Sequence, residues 1–145
     1  MTTLRRVALA VIAFGSLLVG AWAQVFPRSF YDDFPGFGRV WVAIDGPYNE
    51  HLVRDIGGLN LGLALLAVVA LVTGSLLLAR VAGAAALVYG VPHLVYHAFH
   101  LEHFDASDAV TSIVALAVAA LAALVALAAP AAPEAPASPG TTDRP

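Results

Sequence analysis

The sequence predicts an all-α fold, a four-helix transmembrane bundle of up-down-up-down order, and three observations carry that expectation. Hydrophobic residues make up 60% of the chain and charged residues 12%, against about a quarter charged in soluble domains. The apolar residues gather into four long runs separated by short polar segments. The histidines and most carboxylates crowd beside particular ends of those runs. Too few polar residues remain to cover a soluble apolar core, whereas a lipid bilayer selects this composition.

The first run extends from Val7 to Val25, follows Arg5 and Arg6, and holds Ser16 and Gln24 as its strongly polar members. The second, Ile56 to Thr73, carries Asn60 as its polar intruder. The third, Val81 to Phe99, is apolar in its first half and histidine-rich in its second, and the fourth, Ala109 to Ala129, is almost wholly Ala, Val and Leu. At about 1.5 Å per residue each run spans roughly 27–32 Å as a helix, the thickness of a hydrocarbon core. Residues 1–129 are therefore expected to form the transmembrane domain. Residues 130–145, with five prolines among Ala, Ser, Gly and Thr, read as a disordered Pro/Ala-rich cytoplasmic tail.

Arg5 and Arg6 before the first run, Arg80 between the second and third, and Arg144 in the tail set the expected orientation, because cationic flanks stay inside. Both termini then lie in the cytoplasm of a multi-pass protein of the cell membrane. A cleaved signal peptide ending at Ala21-Trp22-Ala23 is the rival reading. The first run is longer than the 7–15 residues usual for such a segment, and its removal would leave three helices.

A net charge of −3 excludes a nucleic-acid partner recognised through a basic surface. The absence of cysteine excludes disulfides, thiol relays, iron–sulfur clusters and covalently attached haem. The absence of lysine, with abundant Ala, Val, Gly and Arg, suggests a bacterial genome rich in G+C.

Residues 26–49 form the one sizeable loop, an aromatic extracytoplasmic segment with Phe26, Phe30, Tyr31, Phe34, Phe37, Trp41 and Tyr48. Aromatic rings favour the headgroup zone, where an apolar body and a polar handle both find partners. Pro35-Gly36 and Asp45-Gly46-Pro47 mark turns, and Pro47 is placed to begin the second helix. The loop reads either as a lid over the outer mouth of the bundle or as a plain aromatic belt.

In this topology all five histidines and eight of ten acidic residues face outward. Three arginines against eight carboxylates give that side a formal −5, a field that attracts cations. The sharpest motif is Pro92-His93-Leu94-Val95-Tyr96-His97-Ala98-Phe99-His100-Leu101-Glu102-His103. At about 100° per residue, His93, His97 and His100 share one helix face. On the second helix His51, Arg54 and Asp55 share a face with Gly58 and Gly62, a spacing suited to close helix contact. Matching depths brings His51 near His100, and Arg54 and Asp55 near His97. Asn60 points the opposite way. Asp105 or Ser107 is a natural N-cap for the fourth helix, where Asp108, Thr111 and Ser112 add a small polar face.

Three readings follow from these residues. His51, Asp55, His93, His97 and His100 supply imidazole and carboxylate ligands for a divalent transition metal, Zn, Cu or Fe. Haem b is a variant, held by one histidine from each of two helices, such as His51 and His97. Alternatively the same groups carry or sense protons, or they form a hydrogen-bonded network that only fixes helix packing.

Four short spans, the lid-like loop, Arg54-Asp55-Ile56-Gly57-Gly58-Leu59-Asn60 and Pro92-His93 resemble the DoxX-like small membrane proteins over about residues 5–128. The resemblance implies a place in a membrane-associated oxidoreductase assembly, thiosulfate–quinone chemistry among them. The lack of cysteine and the density of histidine depart from that pattern. His93-x-x-x-His97 also resembles the histidine boxes of membrane fatty-acid hydroxylases, but those enzymes carry several boxes and five histidines cannot fill them. The function expected is a small membrane subunit whose outer-leaflet His/carboxylate site binds a divalent metal or haem and serves redox chemistry. The alternative is a structural or accessory subunit. Lipid surrounds either, with a membrane protein partner or a second copy as the expected contact, and neither the reaction nor its substrate follows from the residues.

Overall fold

A computed structural model describes residues 1–129. The expected tail lies outside the described residues. Four long helices dominate: α1 (Thr3–Val25), α3 (Glu50–Thr73), α4 (Leu76–Phe99) and α5 (Ala106–Ala128). Each is long and apolar enough to cross a membrane, and together they fit a multi-pass membrane protein. The remaining elements fall between α1 and α3. They are a short helix α2 (Pro27–Asp33) and a hairpin of two-residue strands, β1 (Pro35–Gly36) and β2 (Arg39–Val40).

Local chemistry sets the helix ends. Thr2, Asn49, Ser75 and Asp105 are the N-caps of the four long helices, and each side chain accepts a hydrogen bond from the backbone amide three residues on. Each such bond satisfies one amide that the helix itself leaves without a partner. The second long helix thus begins after Asn49 rather than at Pro47. Its other end stops at Gly74 with φ 66°, a left-handed conformation that glycine adopts without a Cβ clash. The α3–α4 connection is therefore only Gly74 and Ser75. Helix α4 runs unbroken through Pro92.

Small residues build the core. Nine of the eleven buried residues in its larger cluster are alanine, with Leu9 and Ile12 of α1 as the bulky members. The cluster draws on all four long helices, through Ala8 and Ala13, Ala67 and Ala70, Ala79 and Ala82, and Ala122, Ala123 and Ala126. Bulky side chains instead point outward: Phe14, Leu17, Val72, Leu77, Val88 and Leu121 are all exposed. In water each would forfeit about 1.5–3 kcal/mol of burial. Lipid removes that cost, and small residues at the seams then let backbones approach.

Two seams depend on glycine. A Cβ on Gly57 would lie 2.7 Å from the Gln24 backbone nitrogen, and one on Gly20 would lie 2.8 Å from that of Leu61. These positions join α1 to α3. A Cβ on Gly83 would lie 2.7 Å from both Ala123 O and Leu127 N, joining α4 to α5. The pair expected to make close contact, Gly58 and Gly62, meets nothing within 4 Å. A helical face turns about 100° per residue, so a one-position error in choosing the glycine rotates the whole seam. Asn60 faces inward with the Gly57 side and is 5% exposed, its amide donating to Ile56 O at 3.0 Å.

Candidate functional site

Three arginines tie the helix ends together. Arg5 is fully buried, and its Nε donates to Ala126 O in the last turn of α5 at 3.0 Å. Arg54 donates to Glu50 Oε1 at 2.9 Å and to Gln24 O at the end of α1. Arg39, on β2, pairs with Asp108 and reaches Thr111 Oγ1 at 3.3 Å on α5. The last carbonyls of a helix lack intrahelical donors and sit at the negative end of its dipole. A guanidinium supplies both the hydrogen bond and the opposite charge. Arg5 and Arg54 each do this for a helix other than their own.

The loop folds over the end of the bundle that carries the histidines. Trp22, Phe30, Phe34 and Trp41 form a chain of ring contacts with centroids 4.8–6.1 Å apart. Ala23, Phe30 and Val53 are the buried centre of this second cluster. Arg28 pairs with Asp32 one turn along α2 and lies over the rings of Tyr31 and Tyr48. The hydrogen-bonded Asp32 carboxylate pushes the Arg28 guanidinium above its ordinary pKa. Beyond Arg39, a second tether joins the loop to α4, where Tyr96 Oη donates to Asp45 Oδ1 at 3.3 Å.

On α4 the histidines form a ladder. His93 stacks on Tyr89 with centroids 5.4 Å apart and meets His97 edge-on at 4.7 Å. His97 also packs edge-on against Tyr96 and Phe104. His100 turns away from this pair: it caps the helix, stacks on Tyr96 at 4.2 Å, and its Nδ1 lies 2.8 Å from Tyr96 O. Nδ1 of His97 is buried without a hydrogen-bond partner, and so is Nε1 of Trp41.

The five candidate ligands do not converge. His51 pairs with Asp55 on its own helix at 3.3 Å, and both side chains are exposed, 88% and 62%. His93 and His97 are neighbours, while His100 serves its own helix end. Among the described residues no group of three or more His, Cys, Asp or Glu side chains is placed to hold a metal ion. Arg54 reaches back to Glu50 and across to α1, leaving Asp55 to His51. Four-residue spacing within one helix is satisfied locally before a carboxylate can reach a neighbouring helix.

Between β2 and the α4–α5 turn lies an open cleft of about 450 Å³, lined by Gly38, Arg39, Val40, Ile44, His103, Phe104, Asp105, Ser107 and Asp108. Asp105, expected as a cap, accepts from Asp108 N at 2.8 Å, and that backbone bond holds its carboxyl below the ordinary aspartate range. Sequence reasoning missed Arg5 and Arg39 as structural groups, and Trp41 and Phe104 as part of the site. The arginines gave no local signal, because their partners lie 121 and 69 residues away.

The fold and site thus define a four-helix protein of membrane-spanning proportions with a polar, histidine-bearing cap at one end. Comparison with family models, with curated proteins and with solved structures finds no match for this chain.

Proposed function

We propose that the protein is a small accessory subunit of a bacterial cell membrane, with helices in up-down-up-down order and both termini in the cytoplasm. Its aromatic loop covers the extracytoplasmic end, and its polar groups act to hold the bundle in one register. The observation that carries this reading is the arginine set. Arg5, Arg39 and Arg54 each bind a carbonyl or carboxylate at the end of a helix other than their own element, which is what a packing network needs. The DoxX-like resemblance belongs to the same proposal, and under it the partner is a membrane protein.

A second reading keeps the metal or haem. The buried, unpartnered Nδ1 of His97 beside His93 favours it, because an imidazole without a hydrogen-bond partner is costly away from water. In that reading the chain supplies one or two imidazoles, and a partner or second copy completes the coordination.

Both readings are tested on protein purified without a histidine tag, by metal analysis, visible spectrum and thermal unfolding. The accessory reading expects no stoichiometric metal and no Soret band, with a lower melting temperature for Arg39→Gln than for His97→Ala. A stoichiometric metal or a Soret band that is lost in His97→Ala would replace it with the second reading.

A further inference from the structure

The rings of Trp41 and His97, each with a buried nitrogen lacking a hydrogen-bond partner, pack against one side chain. Phe104 meets the Trp41 ring at 6.5 Å and the His97 ring at 6.2 Å, edge-on to both. Phe104 also lines the open cleft beside Arg39, Ile44 and Asp108. It is half-buried and belongs to the short turn between α4 and α5, not to a helix. One aromatic ring therefore lines an open cleft and packs against both rings that carry an unpartnered nitrogen.

We propose that Phe104 is a plug, and that its displacement opens a binding site where Trp41 Nε1 and His97 Nδ1 take the oxygen of a small uncharged carbonyl compound. The chemistry of the lining selects this class. The indole N–H can only donate, and an imidazole nitrogen donates in one of its tautomers, so an oxygen acceptor satisfies both. The rings of Trp41, Phe104 and Tyr96 supply flat apolar walls. The cleft mouth holds Asp105 and Asp108 against Arg39, which is already paired with Asp108. An anion is repelled there, and a cation finds no acceptor at the indole N–H. With the plug in place both nitrogens are unsatisfied, and each buried polar atom without a partner costs free energy. That cost favours opening, whereas the Arg39–Asp108 and Tyr96–Asp45 tethers hold the loop closed. This inference does not depend on the accessory role, which concerns the arginines.

Diethyl pyrocarbonate tests it, being itself a small uncharged carbonyl compound that carbethoxylates neutral imidazole. The extent of labelling at each histidine is read by peptide mass spectrometry. In the wild type His97 reacts more slowly than the exposed His51, His100 and His103. In Phe104→Ala the His97 rate rises about tenfold, the factor equivalent to removing about 1.4 kcal/mol of opening cost, while His51 keeps its rate. Phe104→Leu, which retains the fold more readily, raises it by a smaller factor. Acetamide added at high concentration slows His97 labelling in Phe104→Ala and leaves His51 unaffected. An unchanged His97 rate in both variants overturns the plug, and a raised rate that acetamide does not slow overturns the ligand class. Equal acceleration at His51 and His97 marks general unfolding and also overturns the plug.

Discussion

Arg5 is the residue whose role differs most from its appearance in the sequence. A charge two residues before an apolar run reads as a topological signal, yet the side chain lies wholly inside the bundle against Ala126 O. Adjacent Arg6 is exposed and is the natural control. Arg5→Met is expected to cost about 1.5–3 kcal/mol, the usual worth of a hydrogen bond to a charged group, and Arg6→Met almost nothing; thermal unfolding of the two variants side by side measures the difference. Asp105 supplies a pH-dependent contribution at the opposite end. Its carboxyl is held below the ordinary range by the Asp108 amide, so the folded state prefers the ionised form. The stability it adds is complete above its unfolded pKa, about 3.9, and is lost as pH falls through the lowered folded value. Asp105→Asn keeps a capping oxygen but cannot titrate, so its acid unfolding curve should be flatter than the wild type's. An identical curve would remove Asp105 from the acid response.

Glycine choice matters at the scale of the element. The hydropathy runs located all four long helices to within a few residues, since apolar length alone decides which segments suit a bilayer. They did not reveal which glycine faces a neighbour, because Gly57 and Gly58 are equivalent in composition and differ only in rotation about α3. Gly57→Ala would force a methyl group into the Gln24 backbone, and overpacking of this kind costs about 1–3 kcal/mol or more. Gly58→Ala meets open space and should gain roughly 0.5–1 kcal/mol from helix propensity. Unfolding midpoints of opposite sign are expected, and a similar loss in both would mean the α1–α3 seam lies on a different face. Histidine placement has the same limit: spacing correctly put His93 and His97 side by side, but could not show that His100 would fold back on Tyr96.

For the whole molecule, charge separates along the bundle. All eight carboxylates of the described residues lie in the loop, the first turns of α3, the α4–α5 turn or the first turn of α5, whereas Arg5, Arg6 and Arg80 lie at the opposite helix ends. With cationic ends retained inside, a phosphatase or fluorescent reporter fused after residue 145 should report a cytoplasmic C-terminus. A reporter inserted at Gly38, in the hairpin tip, should report the outside. Reversal of either signal would invert the proposed orientation and move the histidine cap to the cytoplasmic face. The number and length of the long apolar helices are legible because they depend on sums over many residues. The site is less so, because each of its contacts depends on one rotamer meeting one partner.

The Arg5–Ala126 bond also bears on how the chain is made. Arg5 emerges from the ribosome near the start of synthesis, and its acceptor emerges 121 residues later. Until α5 is made, this guanidinium lacks the Ala126 carbonyl that its Nε bonds in the fold. Completion of the last helix supplies it. A chain cut short before α5 therefore lacks the carbonyl to which Arg5 Nε is bonded in the fold, and that long-range bond forms only once both ends of the bundle have been made.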